Sequence, residues 1–218
     1  MITLDSEKLF ADYLAKHGFT YEQNYPVGTC NVDFRIVKTT STVLCDVKEV
    51  RDSKKDSYGK LDAGSHIRGD IKKLREKFKK KRPDQPVILI TMNFSTNFFT
   101  GLTVATALLG DIGFDFDKKT LSLTSPLHHL PKGNAALTQT QNRSISGVFV
   151  FDIDSCKHYL FRNPFTAHPV APQFFPEVRV IDLDRAALGN AVVRLSDIII
   201  SGTENSRKPN NLLQTDAD

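Results

Sequence analysis

Residues 87–92 read Val-Ile-Leu-Ile-Thr-Met, an apolar run that follows Pro83 and Pro86. A strand with one face in water alternates apolar and polar residues, whereas a strand covered on both faces is apolar throughout. The run therefore predicts a strand buried in the middle of a sheet that is flanked by helices. The chain has 218 residues, of which 40% are hydrophobic and 25% charged. This composition suits one globular domain and excludes collagen-like, coiled-coil and wholly disordered chains.

The residues before this run predict one helix and three strands. Leu9, Phe10, Tyr13, Leu14 and His17 form a helical stripe. Asp5 or Ser6 is expected to cap its N-terminus, and Gly18 to end it. Alternating segments at 21–25 and 32–36 and the β-branched run at 42–50 predict three strands joined by short turns, and hence antiparallel neighbours.

A polar segment, 51–65, separates the strands from a second helix. Its length, about 15 residues, is typical of a functional or mobile loop. Ser65 is a candidate N-cap for the helix that follows, in which Ile67, Ile71, Leu74 and Phe78 form the apolar stripe and which is expected to continue to Arg82. The first 92 residues thus predict the order αβββαβ.

The third predicted strand carries an acid and a lysine on one face. With a period of two, Asp46 and Lys48 lie on the same side, opposite Val47. Burying such groups costs several kcal/mol, roughly, unless they are paired or bound to a metal. Asp-x-Lys pairs also begin at Asp52, Asp70 and Asp117, but these lie in polar or charged surroundings and are interpreted as solvated.

Two further acids are expected near this pair. Asp33 lies on the preceding strand, so a hairpin would bring it to Asp46 across the strand pair. Glu7 lies in the first turn of the first helix, where an acid is also favoured by the helix dipole whatever the function. Three acids and a lysine at one point would repel one another without a hard cation, and carboxylate oxygens suit Mg²⁺ or Mn²⁺.

The ordered set of Glu7, Asp33 within Asn-Val-Asp-Phe at 31–34, and Asp46-Val47-Lys48, followed by a helix and a buried strand, resembles the PD-(D/E)xK nuclease superfamily. Val32 stands where the motif's name has Pro. The resemblance covers roughly residues 5–92. It implies a restriction-endonuclease-like α/β fold with a central mixed β-sheet flanked by helices.

The resemblance also implies roles for these residues. Asp33 and Asp46 would bind Mg²⁺ or Mn²⁺ with the Val47 carbonyl, and Glu7 would assist directly or through water. Lys48 would position or activate the attacking water. The alternative for Asp33, Asp46 and Lys48 is a structural ion pair at the edge of the sheet.

The second helix is strongly basic. From Lys48 to Arg82 there are 14 Lys and Arg residues against 6 Asp and Glu, whereas the whole chain has a net charge of +4. Contacts between such residues and phosphates drive sequence-independent binding of nucleic acid. The predicted contact residues are His66, Arg68, Lys72, Lys73, Arg75, Lys77, Lys79 and Lys80. The alternative is an ordinary solvated helix face.

The second half of the chain is expected to extend the same domain. Residues 100–109 predict a helix, 121–123 and 147–152 predict strands, and the Pro- and Phe-rich segment 163–176 predicts a loop over the core. We expect one domain over 1–200, with its core at 5–92 and an elaboration at 96–200, followed by a polar tail at 202–218.

These features predict a divalent-metal-dependent nuclease acting on DNA, more as an endonuclease than as an exonuclease, with RNA not excluded and a homodimer possible by analogy. A non-catalytic nucleic-acid-binding or assembly subunit and an enzyme acting on nucleotides or small phosphoesters are the alternatives. Three cysteines without CxxC spacing predict a reducing compartment. The sequence shows neither a secretory signal nor a membrane span, so a cytoplasmic protein is expected.

Overall fold

The computed structural model describes residues 5–51, 63–80, 82–94, 101–110, 112–113, 128–129, 135–153 and 157–182. In chain order, the elements are α1 (Asp5–Lys16), β1 (Thr20–Val27), β2 (Cys30–Lys38), β3 (Ser41–Val50), α2 (Ala63–Lys77), β4 (Val87–Asn93), α3 (Gly101–Leu109), β5 (Ile112–Gly113), β6 (His128–His129), β7 (Gly147–Asp152), β8 (Lys157–Arg162) and β9 (Val178–Asp182). The predicted αβββαβ order of the first 92 residues is confirmed.

Seven strands form one mixed sheet in the order β1-β2-β3-β4-β7-β8-β9. β1, β2 and β3 are antiparallel neighbours, whereas β4 runs parallel to both β3 and β7. β8 is antiparallel to β7, and β9 is parallel to β8. Every residue of β4 is buried, as the apolar run predicted. The chain is therefore an α/β protein with a central mixed sheet.

Each face of the sheet is covered by its own apolar layer. On one face, α1 and the 163–176 loop form the α1-side core, which includes Phe10, Phe34, Phe149, Phe174 and Phe175. On the other, α2 and α3 form the α2-side core, which includes Val32, Leu44, Ile67, Ile71, Leu74, Phe78 and Leu108. β4 supplies residues to both layers, so it lies at the centre of a three-layer packing.

The structure corrects the predicted limits of α2. The helix begins at Ala63, so Ser65 is inside it and is not its N-cap. It ends at Lys77 and does not reach Arg82. The amides of Phe78 and Lys79 donate to carbonyls three residues back, Arg75 and Glu76, at 3.1 and 3.3 Å. Such tighter turns commonly end an α-helix.

The second half contains both confirmed and unpredicted elements. α3 and β7 lie where the sequence predicted a helix and a strand, and residues 163–176 form the predicted loop over the core. β8 and β9 were not predicted. The expected strand at 121–123, the tail at 202–218, Cys156 and most of the 51–65 loop lie outside the described residues. Within the described part, no helix is long and apolar enough to cross a membrane.

Candidate active site

β3 places Asp46 and Lys48 on the face that α2 covers. Leu44 belongs to the α2-side core, whereas Cys45 and Val47 belong to the α1-side core. The alternation predicted from the period of two is therefore confirmed. The side chain of Asp46 is 0% exposed, and that of Lys48 is 27% exposed. The two groups lie within 2.7 Å of each other, from Lys48 Nζ to Asp46 Oδ2.

The hairpin of β2 and β3 brings Asp33 to the same place. Phe34 pairs with Cys45 in the last rung of the ladder, so Asp33 and Asp46 are the next residues on the two strands. Asp33 Oδ2 accepts a hydrogen bond from the Val47 amide at 2.6 Å. It also lies 3.7 Å from Lys48 Nζ. The ammonium of Lys48 thus bridges the carboxylates of both strands.

A local irregularity shapes the strand around Asp33. The β1–β2 ladder pairs Gln23 with Phe34 and Tyr25 with Val32 but omits the rung between them. At that rung, Asn24 has a φ of 52°, a left-handed conformation that Asn tolerates better than most residues. Val32 and Phe34, which a regular strand would place on one face, pack into opposite cores. Asp33 therefore lies opposite the omitted rung of the β1–β2 ladder and next to the last rung of the β2–β3 ladder.

Glu7, in the first turn of α1, lies within electrostatic range of this group. Burial raises the pKa of Glu7, and the negative charge of Asp33 raises it further, while Lys48 partly opposes them. The neighbouring Glu49 has a different role. Its carboxylate pairs with Arg51 Nε at 2.6 Å, and this contact, together with Ser6, lowers the pKa of Glu49. Glu49 is thus a structural group beside the start of α1.

The pKa shifts at the site follow from burial and from the crowding of charge. Burial raises the pKa of Asp33, and the negative charge of Asp46 raises it further. The hydrogen bond from the Val47 amide lowers it but does not cancel these two effects. Burial acts to lower the pKa of Lys48, but contact with Asp46 outweighs it, so the net pKa is raised. Lys48 is consequently an ammonium at neutral pH and acts here as a donor rather than as a base.

Two residues of α2 complete the group, and the sequence interpretation missed the role of both. Lys77 Nζ forms an ion pair with Asp46 Oδ1 and donates to the Asn31 carbonyl at 3.3 Å. Asp70 was interpreted as solvated, which is wrong, because its side chain is only 12% exposed and pairs with Lys73 at 2.9 Å. Its charge also helps to raise the pKa of Lys48. Asp70 and Lys77 are seven residues apart, which places them on one helix face beside the apolar stripe. This spacing is the sequence feature that could have identified both as site residues.

The helical period divides the remaining predicted nucleic-acid contacts between two flanks of α2. Lys73, paired with Asp70, lies on the flank of the site. Arg75 and Lys79 face the other flank, where they line a cleft of about 350 Å³ with Arg82, Arg143 and residues 140–142. The side chains of His66, Lys72 and Lys80 are exposed, and Arg68 is partly buried. The predicted contact residues thus lie on two flanks of the helix and not on one.

The oxygen atoms at the site are of the kind that binds a hard divalent cation. Their positions in this structure do not surround one. Among the described residues, no three carboxylate, imidazole or thiolate groups come close enough to hold one ion. The carboxylates of Asp33 and Asp46 and the carbonyl of Val47 form an oxygen set of the kind that Mg²⁺ and Mn²⁺ prefer. The Val47 carbonyl accepts from Lys48 Nζ at 2.8 Å. Asp46 Oδ2 lies 2.7 Å from Lys48 Nζ. No donor among the described groups is aligned to form a hydrogen bond with this oxygen, so its contact with Lys48 is an ion pair.

Comparison with known proteins adds no family to these observations. No protein-family model matches the chain, and no curated protein matches it in sequence. The functional argument therefore rests on the geometry and the charge of the site.

Proposed function

We propose that the protein is a Mg²⁺- or Mn²⁺-dependent nuclease that hydrolyses phosphodiester bonds in DNA. The observation that carries the proposal is the fully buried Asp46 carboxylate, which lies beside Asp33 and Lys48 on adjacent strands. The αβββαβ order, with an antiparallel hairpin followed by a parallel strand, supports a restriction-endonuclease-like core.

Each residue has a distinct part in this proposal. Asp33, Asp46 and the Val47 carbonyl would hold the cation, which supplies a lower pKa for bound water and charge stabilisation at the phosphoryl group. Lys48, an ammonium between the two carboxylates, would hold the attacking water and stabilise negative charge that develops on the phosphate. Glu7, whose electrostatic environment includes Asp33 and Lys48, would assist the cation directly or through a water molecule.

The charge around the site favours a polyanionic substrate. The site lies beside α2, which carries exposed Lys72 and Lys73 and is followed by exposed Lys80. The cleft on the other flank of α2 is lined by Arg75, Lys79, Arg82 and Arg143 against one acid, Glu76. Two basic surfaces on one helix would contact phosphates along a strand or duplex and release counterions from it. A small phosphoester would use only the site itself, so nucleic acid is the better fit.

The proposal is tested by cleavage of plasmid and oligonucleotide DNA with Mg²⁺ or Mn²⁺. Asp33→Asn, Asp46→Asn and Lys48→Met are expected to lower the rate by about 100-fold or more, because each removes a cation ligand or the ammonium beside it. Asp182→Asn and Lys16→Met are matched controls, since these residues form exposed ion pairs with Arg162 and Glu177. If folded Asp46→Asn cuts DNA as fast as Asp182→Asn, the proposal is wrong.

One observation favours a second candidate, a non-catalytic nucleic-acid-binding subunit. Asp46 is already neutralised by two ammonium groups, Lys48 and Lys77, and such a network is stable without a metal. This candidate predicts DNA binding that weakens steeply with salt but no cleavage with any divalent cation. The plasmid assay, run beside a salt titration of DNA binding, separates the two.

A further inference from the structure

Lys77 covers Oδ1, one of the two Asp46 oxygen atoms that a cation could use. It is the last residue of α2, and its ammonium pairs with Asp46 Oδ1, while Lys48 lies against Oδ2. Both oxygens of a fully buried carboxylate are therefore in contact with positive charge. A divalent cation placed at the same oxygen would meet the ammonium of Lys77 at very short range, and the repulsion between them excludes simultaneous binding.

Of the two ammonium groups, Lys77 is the one that is placed to leave. Lys48 lies on the strand itself and contacts Asp33, Asp46 and the Val47 carbonyl, the three proposed cation ligands, so on cation binding it would shift within the group but not leave it. Lys77 reaches the site from the helix end, its side chain is 31% exposed, and its second contact is a 3.3 Å hydrogen bond to Asn31. A lysine has a flexible four-carbon stem, so its ammonium can swing into solvent without movement of α2.

A phosphate group would give the released ammonium a new partner. Lys77 lies between Lys73 and Lys80 at the end of the basic helix, where the proposed substrate would bind. An ammonium that moves from Asp46 to a phosphate exposes the carboxylate for the cation and keeps its own charge paired. Binding of nucleic acid and binding of metal would then favour each other, with equal coupling in both directions.

We propose that Lys77 is a displaceable counter-ion that blocks the cation position at Asp46, and that a nucleic-acid phosphate releases it. The proposal rests on the proposed function for the identity of the phosphate, but the competition between Lys77 and a cation does not. In the metal-free protein, Lys77 keeps the buried carboxylate neutralised. On substrate, it leaves, and the cation takes its place.

The competition is tested by Mn²⁺ binding in the absence of DNA, measured by calorimetry and by electron paramagnetic resonance of free Mn²⁺. Lys77→Met is expected to bind Mn²⁺ about tenfold more tightly than wild type, a typical size for coupling between two ligands. Lys79→Met is the control, since it removes the same charge two residues away, where Lys79 pairs with exposed Glu76. Lys77→Arg keeps the blocking charge and should bind Mn²⁺ no more tightly than wild type. Circular dichroism confirms that each variant is folded.

The release step is tested by fluorescence anisotropy of a labelled duplex, with Ca²⁺ or with EDTA at matched ionic strength. Wild type is expected to bind DNA more tightly with Ca²⁺, and this ratio should fall towards one in Lys77→Met. Equal Mn²⁺ affinity in Lys77→Met and Lys79→Met overturns the competition. An unchanged Ca²⁺ ratio in Lys77→Met, or no DNA binding by wild type, overturns the release step. If wild type cleaves DNA but Lys77→Met and Lys79→Met bind Mn²⁺ equally well, only the role of Lys77 is rejected. If Lys77→Met binds Mn²⁺ more tightly but wild type does not cleave DNA, only the nuclease function is rejected.

Discussion

The ion pair between Asp46 and Lys77 makes a quantitative prediction about stability. At a typical hydrogen-bonded separation of about 3 Å and an effective dielectric constant of about 20, the attraction is roughly 5 kcal/mol. Desolvation offsets much of it, since Asp46 is fully buried. Lys48 also remains beside Asp46 when Lys77 is removed. We therefore expect a net coupling free energy of about 2 kcal/mol between the two residues.

A double-mutant cycle with Asp46→Asn and Lys77→Met measures this coupling. Urea unfolding is followed in EDTA, at moderate and at high NaCl, for wild type, both single variants and the double variant. The Glu76–Lys79 pair, at 3.6 Å with side chains 46% and 77% exposed, is the matched surface control. Its coupling is expected to be close to zero, because both groups are exposed to solvent. High salt should abolish the surface coupling and leave most of the Asp46–Lys77 coupling.

The reasoning is refuted if the Asp46–Lys77 coupling is no larger than that of the surface pair. It is equally refuted if high salt removes both. In either case the buried carboxylate does not depend on Lys77, and the argument that a cation must displace it fails.

Three further predictions concern other parts of the chain. Burial raises the pKa of Asp33 above 3.8, so its ionised form opposes folding at neutral pH. In EDTA, Asp33→Asn should therefore unfold at higher urea than wild type near pH 7.5, with a gain that shrinks as the pH falls through the raised pKa; a less stable variant contradicts this. Gly147→Ala should lower the free energy of unfolding by about 2 kcal/mol or more, because a Cβ there would overlap the Phe161 carbonyl. An unchanged urea midpoint would contradict this and show that β7 and β8 can separate without loss of stability. Arg143→Gln in the cleft should weaken DNA binding and reduce the slope of log affinity against log salt by about one. Arg179→Gln, at an exposed position on β9, should leave the slope unchanged. Equal slopes for the two variants would show that the cleft does not contact DNA.

The parts of the site that depend on one strand were predictable from the sequence. Asp46 and Lys48 share a face because side chains alternate along any strand, and the apolar flanks showed that this strand is covered. Asp33 required one more assumption, the hairpin register, which the short turn between β2 and β3 supplies. The left-handed conformation of Asn24 was not predictable, because a single residue with positive φ inside a strand has no repeating pattern.

The contribution of α2 depends on how the helix lies on the sheet. The position of Lys77 is set by packing of Ile71 and Leu74 against the α2-side core, and the helical pattern alone does not say which flank faces β3. The eight predicted contact residues were therefore not assigned to either flank, although the period of the helix turns them to two sides. β8 was missed because its residues alternate poorly and its partners, β7 and β9, are set by the sheet as a whole.

A crystal structure with Mn²⁺, located by its anomalous scattering, tests the central claim most directly. The account predicts one ion within about 2.0–2.4 Å of oxygen atoms from Asp33, Asp46 and the Val47 carbonyl, with the Lys77 ammonium withdrawn from Asp46. An ion-free site at saturating Mn²⁺, with Lys77 still paired to Asp46, would contradict it and leave a buried ion network in a basic α/β protein.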